Sequence, residues 1–294
     1  MTGPVVVGLD GSPESMTAAW WGAREARDRH LPVLLLHSWT TQPLDVPVAQ
    51  EALSKQRYGA RVLQRAEAEL LHRYADLDLG TELVSAPAAD ALLERGKSAA
   101  MLVLGSRGHG SIAGFLLGSI SLHVLGLVRC PAVTVRSGDP AVEEGWGRPA
   151  PDARGDVVVG VHEVGPAAER LLEFAFASAA ARRGRVRAVH ALPLSARVSL
   201  SLPAHGADGG YEEEERARLA EMLGPWREKF PEVPASAEVS EGAGAPVLLA
   251  ASARGGLTVV GRRLHPSHLT WKLGPVTHAA LHHAPCPVAV VPHD

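Results

Sequence analysis

The feature that most constrains this chain is that one pattern is written in it twice. Gly105, Gly118, Cys130 and Pro131 recur at the same spacing as Gly261, Gly274, Cys286 and Pro287. Val5-Val6-Val7-Gly8 recurs as Val157-Val158-Val159-Gly160, and His37 as His190, with the separation drifting by only a few residues. Self-similarity on this scale marks a tandem duplication, so both halves must satisfy one fold. The 294 residues then divide into a first domain at 1–137, a linker at 138–155 and a second domain at 156–294. Prolines and polar breakers between Ser137 and Gly155 place the linker, because no helix or strand tolerates them at that density.

Within each half, apolar runs alternate with helical periodicity. In the first, Val5–Leu9, Val33–Ser38, Thr81–Ser85, Met101–Gly105 and Ala132–Arg136 read as strands. Helices are expected from Pro13 to near Arg29, Glu51 to Tyr74, Pro87 to near Ala99, and from Ser119 onward. Ser12 is placed to cap the first of these, with Pro13 at its first position. In the second half, strands at Val157–Val161, Arg185–Ala191, Ala237–Ser240, Thr258–Gly261 and Val288–Val291 alternate with helices at Gly165–Arg183, Tyr211–Phe230, Pro246–Arg254 and Pro275–His283. Leu192–Gly210 is an irregular insertion. Uniformly apolar strands belong to a sheet covered on both faces. The expected class is therefore α/β: two tandem open parallel sheets with helices on both faces. Right-handed crossovers bring the loops after the first and fourth strands to the carboxyl edge, where open α/β sheets bind ligands.

The fourth of those loops carries the chemistry. It reads Gly105-x-x-Gly108, then nine residues, then Gly118-Ser119. Glycine lets the main chain take positive φ and approach a ligand closely. A helix starting at Gly118-Ser119 presents unpaired N–H groups and a positive dipole end to the loop. Together these make a phosphate cradle, to which the Ser119 hydroxyl adds a hydrogen bond. The Walker lysine is missing and the spacing is not the dinucleotide fingerprint, so a plain flexible loop is the competing account.

This loop resembles the nucleotide-binding signature of the universal stress protein family. So do VVVGLDGSPES from Val5 to Ser15, Leu34-Leu35-Leu36-His37, and Arg129-Cys130-Pro131. The resemblance covers nearly the whole chain, because the pattern occurs twice. It implies Rossmann-like domains of five parallel strands, pairing through last strands, and ATP bound in one subset of members. It also implies roles for particular residues. Asp10 would lie near the ribose and is the one metal candidate, through nucleotide-borne Mg2+. Leu9 and Ser38 would face the adenine, while Gly105, Arg107, Gly108, Gly118, Ser119 and Ser121 would line the phosphate path. An ordinary Asp-Gly turn is the rival account of Asp10.

The second half departs from this pattern. His162 stands for Asp10, Leu264 for Gly108 and Pro275 for Ser119. Leucine adds a side chain where phosphates must come close, and proline offers an anion neither an N–H nor a hydroxyl. His162-Glu163 has no third ligand at a recognisable spacing and reads as surface. His282-His283, at a helix end, reads as favourable placement in the dipole. Nucleotide is therefore expected in the first domain only.

Other classes are disfavoured. A net charge of −3 supplies no basic face for nucleic acid. No apolar run approaches the roughly 18 residues of a membrane span, and strand-like sequence begins at once, so neither a membrane anchor nor a signal peptide is expected. Two cysteines, Cys130 and Cys286, rule out a disulfide framework or a cysteine zinc site, and the compartment expected is the cytoplasm. No nucleophile elbow, zincin or redox motif occurs, so no catalytic residue is named. The expected function is that of an ATP-binding stress-response or regulatory protein. A slow ATPase or nucleotidyl-transfer enzyme stays open, with Arg107 and His109 as its loop candidates, as does a nucleotide-independent interaction scaffold. The short apolar last strands, Val133–Val135 and Val288–Val291, would expose sheet edges if unpaired. Intramolecular domain pairing is thus expected, with a homodimer as the alternative and protein partners unknown.

Overall fold

The computed structural model describes residues 3–40, 49–106, 118–138, 142–143, 155–162, 165–193, 210–264 and 273–294. The chain divides into two compact units, Met1–Pro149 and Ala150–Asp294.

The first unit interleaves β1 (Val5–Leu9), α1 (Pro13–Asp28), β2 (Val33–Ser38), α2 (Ala49–Arg73), β3 (Leu79–Val84), α3 (Ala88–Gly96), β4 (Met101–Ser106), α4 (Ser119–Leu127) and β5 (Ala132–Arg136). The strands lie in the order β3-β2-β1-β4-β5, and neighbours run parallel. The order follows from burial. Val5, Val6 and Val7 of β1 and Met101, Leu102 and Val103 of β4 have no solvent exposure, so these strands take the middle of the sheet. A buried apolar side chain of this size contributes about 1.5–3 kcal/mol. On α1, Ala18, Ala19, Ala23 and Ala26 are fully buried, and Gly22 sits so close that a Cβ there would come within 2.9 Å of Val7. Small residues on one face let this helix lie against β1.

The start of α1 is as the sequence placed it. The Ser12 hydroxyl accepts the Ser15 N–H at 3.2 Å, and Pro13 fills the first turn. Gly11 has φ of +86°, a conformation that favours glycine, and a Cβ there would also have to displace the Tyr58 hydroxyl 2.3 Å away. The segment expected as linker is tied down at its described residues. Val142 is 3% exposed, and the Glu143 carboxylate accepts the Gly138 N–H at 2.6 Å and lies 3.2 Å from the Thr17 hydroxyl of α1.

The second unit repeats the plan with β6 (Val157–Gly160), α5 (Pro166–Arg182), β7 (Val186–Leu192), α6 (Gly210–Met222), α7 (Gly224–Lys229), β8 (Ala235–Glu241), α8 (Gly244–Ser252), β9 (Leu257–Arg263), α9 (Pro275–His283) and β10 (Val288–His293). Its strands lie parallel in the order β8-β7-β6-β9-β10. Val157 pairs with Val186 and Leu257 just as Val5 pairs with Val33 and Met101. One expectation fails here. The single helix read over Tyr211–Phe230 is two helices, parted at Leu223-Gly224-Pro225, where proline has no N–H to continue the ladder. The break sets the Trp226 and Phe230 rings 6.0 and 5.8 Å from the ring of buried Phe176 on α5. Among the described residues no helix is long and apolar enough to cross a membrane.

Candidate functional site

In the first unit β1 and β4 are neighbours whose chains leave in opposite lateral directions, and the crevice between them opens at their carboxyl ends. A cavity of about 490 Å³ occupies it, a size usual for small-ligand sites. Leu9, Asp10, Ser38, Gly105, Gly118, Ser119 and Ser121 all line this cavity. Arg107 and Gly108 lie outside the described residues. Sequence reasoning missed Glu14, Ala88, Leu92 and Ile120, which also line it. They come from the first two turns of α1, α3 and α4, and the clue was available: each of those helices starts at the same sheet edge.

Asp10 owes its geometry to the cap of α1. Its Oδ1 accepts the Ser12 N–H at 2.9 Å and the Ser12 hydroxyl at 2.5 Å. Burial alone raises the pKa of this carboxyl, but the Ser12 hydroxyl, the Ser12 N–H and the Ser15 hydroxyl outweigh it and hold the group below its ordinary 3.8. The carboxylate is therefore ionised at neutral pH. Because its folded value lies below its unfolded one, its contribution to stability is present above the unfolded pKa and lost as pH falls through the folded value. NMR titration of the Asp10 carboxyl should give a midpoint below 3.8, and Ser12→Ala should move it upward. A parental midpoint above the ordinary value would contradict this network.

His37 is buried, with Nδ1 2.8 Å from the Leu9 carbonyl oxygen. His190 repeats the contact with the Val161 carbonyl at 2.9 Å. A carbonyl can only accept, so Nδ1 carries the proton in both rings. The recurring histidine thus fixes the carbonyl at the end of the first strand in each unit. The Ser38 hydroxyl donates to the Ala86 carbonyl, tying β2 to the turn before α3. Its lone pairs are left to accept.

The two loop-flanking glycines differ in kind. A Cβ on Gly105 would lie 2.5 Å from the carbonyl carbon and oxygen of Glu14 and 2.7 Å from the Ser15 nitrogen. Gly105 is glycine because α1 starts directly over the end of β4. Gly118 has φ of −57° and ψ of 148°, and a Cβ there meets nothing within 4 Å among the described residues. The positive φ expected of the loop glycines is absent at Gly118, since any residue adopts this conformation. Neither the backbone nor packing among the described residues requires glycine at 118, and the position adjoins the cavity.

At the same edge of the second unit the groups turn inward. Pro275 opens α9, and the Thr277 hydroxyl, at the position of Ser121, donates to the Gly261 carbonyl at 2.8 Å. Thr277 is 4% exposed. Val276 stands where the first unit has Ile120, and a Cβ on Gly244 would come within 3.1 Å of it. Ile120, by contrast, is 48% exposed beside its cavity. Among the described residues, no group of three His, Cys, Asp or Glu side chains could hold a metal ion.

The model of the universal stress protein family matches residues 1–136 and again 154–292. A universal stress protein of Mycobacterium tuberculosis is 34% identical over 296 residues, spanning 97% of this chain and 96% of that protein. A universal stress protein of Mycolicibacterium smegmatis is 32% identical over 296 residues, with 98% and 96% covered. Among solved structures, a universal stress protein from Archaeoglobus fulgidus shares the fold with a TM-score of 0.74, covering 99% of this chain and 98% of its own, at 17% identity. The chain therefore belongs to the universal stress protein family and carries two copies of its domain in tandem.

Proposed function

We propose that this protein is an ATP-binding stress-response or regulatory protein whose first domain, residues 1–137, holds the nucleotide while the second holds none. The observation that carries the reading is the convergence, in one 490 Å³ cavity, of apolar and anion-seeking walls. Leu9, Leu36, Leu92 and Leu104 supply an apolar side suited to a base. Gly118, Ser119 and Ser121 supply hydroxyls and the amino end of α4, where free N–H groups and the helix dipole favour phosphate.

Electrostatics add a condition. Asp10 and Glu14 line the cavity, and no lysine or arginine does so among the described residues. A triphosphate beside two carboxylates needs a counter-cation. Mg2+ is commonly held by one or two carboxylates together with the nucleotide's phosphates, and ionised Asp10 fits that use. Charge neutralisation is what the ion would supply here. Hydrolysis would be slow on this reading, since a cradle that binds phosphate does not by itself position a water.

Calorimetry of the full chain with ATP tests the proposal. One ATP per chain is expected, with affinity at least about tenfold lower when Mg2+ is chelated, the equivalent of about 1.4 kcal/mol. Two ATP per chain, or none, would overturn it.

A further inference from the structure

The second unit has a cavity of about 690 Å³ at the opposite edge of its sheet, where the strands begin. Asp156, Arg185, Arg187, Ser236, Glu238 and Arg254 line it. Arg187 forms its floor: Nε and Nη2 reach the two Glu238 carboxylate oxygens at 2.6 and 2.7 Å, and Nη1 donates to the Ala251 carbonyl at 3.0 Å. That pair neutralises itself. Arg185 gives its Nε–H to Asp156 at 2.9 Å, and its side chain is 63% exposed. Arg254, exposed beyond the end of α8, makes no ion pair among the described residues and acts on Glu238 only from a distance. Three guanidinium groups and two carboxylates leave a positive surplus in a polar hollow.

The sister unit shows how the hollow arose. Strand register matches Val186 to Val33 and Ala235 to Leu79, so Arg187 stands for Leu34 and Glu238 for Glu82. In the first unit Glu82 is held by Arg95, from α3. The residue at the Arg95 position of the second unit is Ala251, whose short side chain leaves the space empty, and the arginine has moved to the strand. Arg185 and Arg254 replace Pro32 and Ser98. One arginine would have satisfied the glutamate, as it does in the first unit. The other two have no counterpart at their positions there.

We propose that the second unit binds a phosphate monoester in this cavity, with Arg185 and Arg254 as its ligands. Guanidinium forks match phosphate oxygens in pairs, and the positive surplus favours an anion. The volume exceeds what a phosphate group alone would fill and leaves room for an organic body. The two copies would then have diverged in opposite senses, one keeping the carboxyl-edge cradle and the other developing an amino-edge site. This inference does not depend on nucleotide binding by the first domain.

The test uses the full chain, with the arginine Nε–Hε NMR signals of Arg185, Arg187 and Arg254 as local reporters. Glycerol 3-phosphate should shift the Arg185 and Arg254 signals saturably. Arg254→Ala should weaken that binding about tenfold or more, through loss of a charge-assisted contact, while leaving ATP stoichiometry unaltered. Absence of a saturable shift, parental affinity in both Arg254→Ala and Arg185→Ala, or a response to citrate but not to glycerol 3-phosphate would each overturn the assignment.

Discussion

Gly118→Trp should abolish ATP binding and leave the fold intact. The backbone at 118 is ordinary, and an added Cβ meets none of the described residues, so the change in stability should stay within about 1 kcal/mol. The position adjoins the cavity lined by Ser119 and Ser121. An indole there would occupy the approach to the amino end of α4, where free N–H groups would meet the phosphates on the proposed reading. Ser119→Ala removes a single hydrogen bond to a charged oxygen, worth roughly 1.5–3 kcal/mol, so affinity should fall by about tenfold to a hundredfold. Calorimetry beside a thermal melt separates the two effects. A folded Gly118→Trp chain that takes up ATP with parental affinity would move the phosphate site elsewhere.

That this glycine could be picked out at all reflects which interactions are local in the chain. Asp10, Gly11, Ser12 and Pro13 form a turn and a cap within a few residues, so sequence spacing alone placed them. The expectation that the second unit lacks a cradle was equally local, resting on Pro275, because proline's missing N–H is a property of the residue itself. The role of His37 was not, since its acceptor lies on the neighbouring strand. Glu14 escaped notice because it enters the cavity only through the packing of α1 over β4. The repeat spacing already matches Arg95 with Ala251, but the partners of Arg95 and Arg187 lie on other elements and meet them only in the folded chain. The break at Gly224-Pro225 was written locally but was overridden by helical periodicity that continues on both sides.

Gly105 tests the other kind of glycine. Gly105→Ala should destabilise the first unit by about 2 kcal/mol, the usual cost of forcing extra volume into a packed interior. Its Cβ would sit 2.5 Å from the Glu14 backbone, and backbone held in the first turn of a capped helix cannot step aside cheaply. The matching glycine of the second unit makes an internal control. A Cβ on Gly261 meets the His293 ring at 2.9 Å, and that ring is the outer end of a half-buried side chain that can rotate away. Gly261→Ala should therefore cost less than about 1 kcal/mol. Hydrogen exchange in the full chain reads each sheet separately, so β4 amides should exchange about thirtyfold faster in Gly105→Ala, while β9 amides change by less than about fivefold in Gly261→Ala. If β4 exchange is unchanged, α1 has withdrawn from β4 without loss, and close approach is not what keeps glycine at 105.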